Sequence, residues 1–300
     1  MGSLDWLLDS DAAIRWQTLR DLTDAPPEAV SAERARVARE GLGATVLAHQ
    51  GDDGAWHRSG SDDWLPTLFA PILLRAAGTD PKDPAVVAAM DRVTAGFRWH
   101  ESFGKKPLFE GEVEPCINGH ALAAGSYFGR PSESLARRLL GEQLADGGWN
   151  CDAPKSTVSS FHSTICVLEG LLEYERATGG AAEIEAARQR AEEYLLSRAL
   201  FRRRSTGEVA SRTFLELAFP PRYHYDVLRA LDYFRAAGGR PDARVAEAVE
   251  LVESKRQPDG RWLLDRSYGE MFDFSLDESP GEPSRWNTLR AMRVLRWYGR

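Results

Sequence analysis

Gln143-Leu144-Ala145-Asp146-Gly147-Gly148-Trp149 recurs as Gln50-Gly51-Asp52-Asp53-Gly54-Ala55-Trp56 and, one residue shorter between Gln and Gly, as Gln257-Pro258-Asp259-Gly260-Arg261-Trp262. Each copy lies between two apolar stretches of helical periodicity, so it marks internal repetition, which constrains the architecture before any single residue is interpreted. Glycine permits the tight turn, glutamine at the preceding helix end can bond the turn backbone, and tryptophan supplies a large apolar surface with one donor.

Outward from these turns, apolar residues recur at three- and four-residue spacing, and alternating Val/Ile/Thr strands are missing. The spacing predicts helices over 11–23, 31–49, 63–77, 84–98, 117–128, 132–145, 160–177, 182–198, 223–237, 241–256 and 284–298, with a short helical turn at 3–9. Alternate members (31–49, 84–98, 132–145, 182–198, 241–256) carry Arg and Glu on one face, as a solvated outer layer requires. The others are more apolar and share a step: Arg15-Trp16-Gln17-Thr18-Leu19 matches Arg285-Trp286-Asn287-Thr288-Leu289, and Trp64-Leu65-Pro66-Thr67 and Phe161-His162-Ser163-Thr164 share the threonine. Glycines end several of them (Gly78, Gly129, Gly179, Gly238, Gly299). The expected fold is all-α, a single α6/α6 toroid, or αα-barrel, of about twelve helices, forming one domain over residues 1–300. Connections at 50–62, 99–116, 146–159, 199–222 and 257–283 are the long ones, so they mark the expected working face; the acidic, aromatic segment 263–283 reads as a lid.

The 300 residues are 43% hydrophobic, ample for a buried core, and the formal charge of -7 disfavours a general nucleic-acid binder. No apolar run is long enough to predict a transmembrane segment, and Met1-Gly2-Ser3-Leu4-Asp5-Trp6 lacks a secretion-signal profile, so the expected location is the cytoplasm. Three cysteines, Cys116, Cys151 and Cys166, argue for reduced thiols or metal ligands rather than a disulfide framework.

The Gln-x-x-x-Gly-x-Trp turns resemble the QW repeat of squalene-hopene and oxidosqualene cyclases. The helix alternation is similar to the toroid that those enzymes share with protein prenyltransferase β subunits and lanthionine cyclases. This resemblance implies an enzyme acting on an isoprenoid or other apolar small molecule. The Asp-x-Asp-Asp acid motif of the triterpene cyclases does not occur; the nearest acidic cluster is Ser61-Asp62-Asp63-Trp64 at an inner-helix start. A buried carboxylic acid at Asp62 or Asp63 can protonate an alkene, whereas the structural alternative is a helix N-cap.

Aligning the inner helices on their glycines and Thr-Leu steps puts Trp16, Leu65, Cys116, His162, Tyr225 and Trp286 at equivalent positions. Cys116 and His162 are then expected to face each other, with Cys151 delivered between them by the loop Trp149-Asn150-Cys151-Asp152. Two thiolates and an imidazole suit tetrahedral Zn²⁺, and the fourth position falls to Glu114, Asp152 or an open site. The resemblance points the same way. Prenyltransferase β subunits hold zinc with Asp-x-Cys and a downstream His, similar to Glu114-Pro115-Cys116 and Phe161-His162, and lanthionine cyclases use two Cys and one His. Their Cys-His-Gly sequence is absent. The alternative is two buried small side chains and a core histidine.

His224, in Tyr223-His224-Tyr225-Asp226, is the favoured further acid/base, with Tyr225 beside it, and His120 is a supporting candidate one turn beyond Cys116. The prenyltransferase resemblance implies diphosphate partners at Lys105-Lys106 and Arg202-Arg203-Arg204, the alternative being solvated loop charges, and rim aromatics such as Trp64, Trp99, Phe272 and Trp286 can stabilise a cation. Three functions therefore stand open: a terpenoid-cyclase or prenyltransferase-like enzyme, a zinc-dependent modifier of a thiol or peptide, and a non-catalytic toroid binding a lipid or protein.

Overall fold

In the computed structural model, which describes residues 2–61 and 63–300, all three repeated turns end in the same buried hydrogen bond. The backbone N–H of Trp56 donates to Thr67 Oγ1 (3.0 Å), that of Trp149 to Thr164 Oγ1 (3.1 Å) and that of Trp262 to Thr288 Oγ1 (3.0 Å). The indoles are at most 1% exposed. Those of Trp149 and Trp262 donate in turn to the carbonyls of Leu139 and Val252, both at 2.7 Å. Gln143 Nε2 bonds the Gly147 and Ala187 carbonyls (2.7 and 2.8 Å), and Gln50 Nε2 bonds Gly54 and Ala89 likewise (2.9 and 2.8 Å), stapling each turn to the following outer helix. In the shortened third copy Gln257 reaches only Lys255 O, at 3.0 Å. Gly54, Gly147 and Gly260 all take positive φ (83°, 99° and 82°), which glycine adopts without strain.

The fold is all-α. Among the described residues the helices are α1 (Ser3–Leu8), α2 (Ala12–Leu22), α3 (Pro27–Arg34), α4 (Gly41–Ala48), α5 (Leu65–Ala77), α6 (Pro84–Gly96), α7 (Pro115–Tyr127), α8 (Glu133–Gly141), α9 (Phe161–Thr178), α10 (Ala182–Leu196), α11 (Val227–Ala237), α12 (Ala246–Ser254) and α13 (Arg285–Tyr298). None is long and apolar enough to cross a membrane. The helix expected over 31–49 is two, because Gly41 takes φ +61° and Asp11 restarts the chain by accepting from Leu42 N (2.6 Å) as well as capping α2 at Ala13 N (2.6 Å). The helix expected from 223 begins at Val227 instead, capped by Asp226 through Arg229 N (2.8 Å). Segment 263–283 is tied at its base by a two-residue antiparallel pair, β1 (Trp262–Leu263) with β2 (Pro283–Ser284).

The chain divides into two compact units, one of Met1–His49, Ala76–Asp83 and Arg198–Arg300, the other of Gln50–Arg75 and Pro84–Ser197. Within the second, α7 and α9 approach each other closely. A Cβ on Gly119 would collide with the Cys166 carbonyl, and one on Gly170 with the Gly119 carbonyl, so both glycines are needed for this approach. His120 meets Cys166 on the same face, Sγ to Nε2 at 3.4 Å.

Within the first unit, α2, α11 and α13 are joined by charge. Arg293 grips Asp232 in two-pronged fashion (Nε to Oδ1 at 2.8 Å) and donates to Gln17 Oε1 at 3.1 Å, while Arg235 Nε adds a bond to Asp232 at 2.9 Å. Burial alone would raise the Asp232 carboxyl, but Arg293, Arg235 and Arg290 outweigh it and hold it well below the usual carboxylate range. The stability from this lowered carboxyl is present above the unfolded value near 3.8 and lost as the pH falls below it.

These bonds can be tested through stability. Thr164→Val, which keeps the volume but leaves Trp149 N–H buried without an acceptor, is expected to cost about 1–3 kcal/mol in urea unfolding; an unchanged midpoint would show the bond to be dispensable. Asp232→Asn leaves Arg293 with Asp21, at 3.6 Å, as its remaining carboxylate and is expected to cost about 3 kcal/mol, with a smaller difference from wild type in acid, and a neutral effect at pH 7 would remove the network from the account of the fold.

Candidate functional site

The starts of α7 and α9 in the second unit bring the sulfur atoms together. Ahead of α7, the buried Glu112 accepts the N–H groups of Val113 and Glu114 (2.7 Å for Glu114), and Pro115 opens the helix at a position where no N–H is needed. Cys116 therefore projects from the first turn. The Trp149–Thr164 bond fixes where the third long loop leaves its turn. Two residues later Cys151 is held by Ser163, whose hydroxyl lies 3.3 Å from Cys151 N and 3.2 Å from its Sγ. Asn150 Nδ2 closes the loop onto Val158 O (2.8 Å) and Ser156 Oγ (3.0 Å).

Cys151 Sγ then stands 3.0 Å from Cys116 Sγ, and Cys116 Sγ stands 3.6 Å from Glu114 Oε2. Among the described residues these three are the group of metal-capable side chains whose ligand atoms lie within 4.8 Å of one another. Cys116 is buried, Cys151 half-buried and Glu114 exposed. The hydrogen bond with Cys151, then burial, push the Cys116 thiol far up. The same bond pulls Cys151 down against its own burial, helped by the Ser163 hydroxyl, so Cys151 is the thiol that ionises first.

His162 is not a member of this group. It follows Phe161 in the first turn of α9, where successive side chains diverge by about 100°, and it is its neighbour Ser163 that meets Cys151. Of the three side chains expected together, Cys116 and Cys151 meet while His162 stands apart, and the side chain grouped with the two sulfur atoms is Glu114. Asp152 lies outside this group, its N–H donating to Asn150 Oδ1 at 2.9 Å. Cys166 and His120 form a separate, fully buried pair deeper on the same faces.

Asp63 accepts from Leu65 N (2.9 Å) and donates its own N–H to Ser61 Oγ (3.1 Å), so it caps the start of α5; Asp62 lies outside the described residues. In the first unit His224 is stacked on Tyr268 (3.8 Å between centroids, 11°) and tilted against Tyr223 (4.2 Å). Tyr225 is a core residue, 2% exposed, its hydroxyl donating to Leu200 O at 2.5 Å. Lys105 pairs with Glu101 (3.2 Å) and Arg202 with Glu247 (2.8 Å), whereas Arg203 and Arg204 face solvent. Trp286 stacks flat on Phe219 at 4.2 Å. Segment 263–283 helps to line a cavity of about 320 Å³ with Asp11, Leu42, Arg285 and Trp286, where burial raises the Glu278 carboxyl against hydrogen bonds from Ser284 and the first N–H groups of α13.

No protein-family model matches the chain, and no curated protein matches it. Solved structures do. The chain is similar to the apo type II terpene cyclase MstE from Scytonema, at 17% identity and a TM-score of 0.49, over 95% of this chain and 85% of that one. It is likewise similar to a variant of MstE in complex with its substrate, geranylgeranyl dihydroxybenzoate, at 16% identity and a TM-score of 0.46 over the same shares.

Ser163 does not stand out in the sequence as a functional residue; its one signal is its position immediately before the threonine that anchors Trp149. The arrangement predicts ordered thiol reactivity. In metal-free protein, iodoacetamide should alkylate Cys151 first, with a midpoint pH below the ordinary thiol value of 9.0, while Cys116 and Cys166 react only on unfolding. Peptide mapping after graded alkylation reads this, and earlier labelling of Cys116 would reverse the assignment.

Proposed function

We propose that this chain is a terpenoid-cyclase or prenyltransferase-like enzyme, built as an α6/α6 toroid, acting on an isoprenoid or other apolar small molecule at a Zn²⁺ centre held by Cys116, Cys151 and Glu114. The observation that carries the reading is the pair of sulfur atoms 3.0 Å apart with a carboxylate beside them. The donor types suit zinc: two thiolates with one carboxylate would leave one tetrahedral position open, and zinc–sulfur bonds of about 2.3 Å at tetrahedral angles would set the two sulfurs roughly 3.8 Å apart, so the loop-borne Cys151 would shift outward on binding. Zinc there would supply a Lewis acid and favour the ionised form of a coordinated thiol.

The chain's own residues do the rest. Cys116 anchors the centre from the first turn of α7, Ser163 orients Cys151, and the exposed Glu114 stands on the solvent side. Acid chemistry through Asp63 finds less support, because its carboxylate is engaged in capping α5. Modification of a thiol or peptide at the same zinc is the second reading, favoured by the half-buried Cys151 and exposed Glu114, which leave the centre open to a substrate sulfur.

Elemental analysis of untagged protein is expected to find close to one zinc per chain, lost in Cys116→Ala and Cys151→Ala and retained in His162→Ala. Turnover of prenyl diphosphates with small thiols, followed by mass spectrometry, should be abolished by the same two variants. Absence of zinc in folded wild type after loading with excess metal would overturn the reading.

A further inference from the structure

Two free thiols already in contact are also poised to bond to one another. Cys116 Sγ and Cys151 Sγ are 3.0 Å apart, about one ångström beyond a disulfide bond length. They differ in access: Cys116 is 6% exposed at the base of α7, whereas Cys151 is half-buried on a loop. Cys151 lies in a run of turns over 151–155 outside any helix, so closing the remaining distance shifts a loop residue and its Ser163 contact and no helix. The third thiol does not compete, because Cys166 is fully buried and paired with His120 Nε2 at 3.4 Å.

We infer that Cys116 and Cys151 form an oxidisable dithiol, a modification site at which a small hydroperoxide converts the metal-binding form of the protein into a disulfide form that cannot hold metal. Cys151 Sγ attacks the terminal oxygen of the hydroperoxide and breaks the O–O bond. The sulfur becomes a sulfenic acid, and the leaving oxygen departs with a proton as water or an alcohol. Cys116 Sγ then attacks the sulfenyl sulfur, the S–S bond forms, the S–O bond breaks, and the hydroxide leaves as water with the Cys116 proton. Two thiols have lost two electrons and the hydroperoxide has gained them. The partly exposed sulfur receives the oxidant and the buried one resolves it, the order that access dictates. Because the disulfide has no thiolate left to bind a cation, zinc and oxidation exclude each other; this last clause rests on the proposed zinc centre, whereas the dithiol itself does not.

The test uses the full chain, chelator-stripped and zinc-loaded, treated with stoichiometric hydrogen peroxide, then alkylated and mapped by mass spectrometry. The stripped protein is expected to lose two titratable thiols and yield a Cys116–Cys151 cross-linked peptide, with Cys166 alkylated on unfolding. Dithiothreitol should restore both thiols. Cys166→Ala should cross-link as wild type does, and Cys116→Ala, checked for folding by circular dichroism, should instead accumulate a dimedone-trappable sulfenic acid at Cys151. The zinc-loaded protein should oxidise more slowly and release its metal to a chromophoric indicator as the cross-link forms. Peroxide that leaves both thiols free in the stripped protein, or a cross-link that includes Cys166, overturns the inference. A cross-link in protein that never binds zinc leaves the dithiol standing and sinks the zinc reading alone. Zinc binding without cross-linking after chelation does the converse.

Discussion

A buried backbone N–H cannot be left without an acceptor, and that constraint organises this chain. At each repeated turn the tryptophan N–H enters the core with its indole and is met by a threonine hydroxyl from the next inner helix. The partners are separated by 11, 15 and 26 residues, so the bond is constant while the loop enclosed by it is not. Scaffold and variable segment are thereby decoupled. Fixed ends let a loop lengthen at the modest entropic cost that loop closure carries, and chemistry can reside in the loop without disturbing the core.

The thiol centre is a direct product of that arrangement. Cys151 comes two residues after Trp149, and Ser163 one residue before Thr164, so the bond that closes the turn also brings loop and helix together where Ser163 can hold Cys151. Cys116 arrives from the other side, on a helix whose approach depends on Gly119 and Gly170 lacking side chains. Two independent packing requirements converge on one pair of sulfur atoms. Their inequality is positional too: the helix-borne sulfur is buried and keeps its proton, and the loop-borne sulfur faces a hydroxyl and gives its proton up first.

The other unit relies on a different device. Asp232, Arg293 and Arg235 tie α11 to α13 through paired charges and Arg293 reaches α2 by a hydrogen bond to Gln17, while Asp226, buried deeply enough to be raised in pKa, is used as a helix cap. Such groups are costly to bury singly, and they persist here because each has its partners. They are structural in the fold.

The all-α class, the places of the repeated turns and most helix bounds were legible in the amino-acid order, because they follow from apolar spacing and glycine positions that are local in the chain. Cys116 and Cys151 were legible there too, as thiols delivered to one place. The break of the helix expected over 31–49 was not, because the residue that restarts the chain there is Asp11, distant in sequence. It took tertiary packing to set Glu114 rather than His162 beside the two cysteines, to make Asp63 a cap and to bury Tyr225 in the core. The reason is angular. Residue spacing tells which helix a side chain is on and roughly how far along it lies. A step of about 100° per residue decides which neighbour it meets, and that rotation is set by the packing of one helix on another.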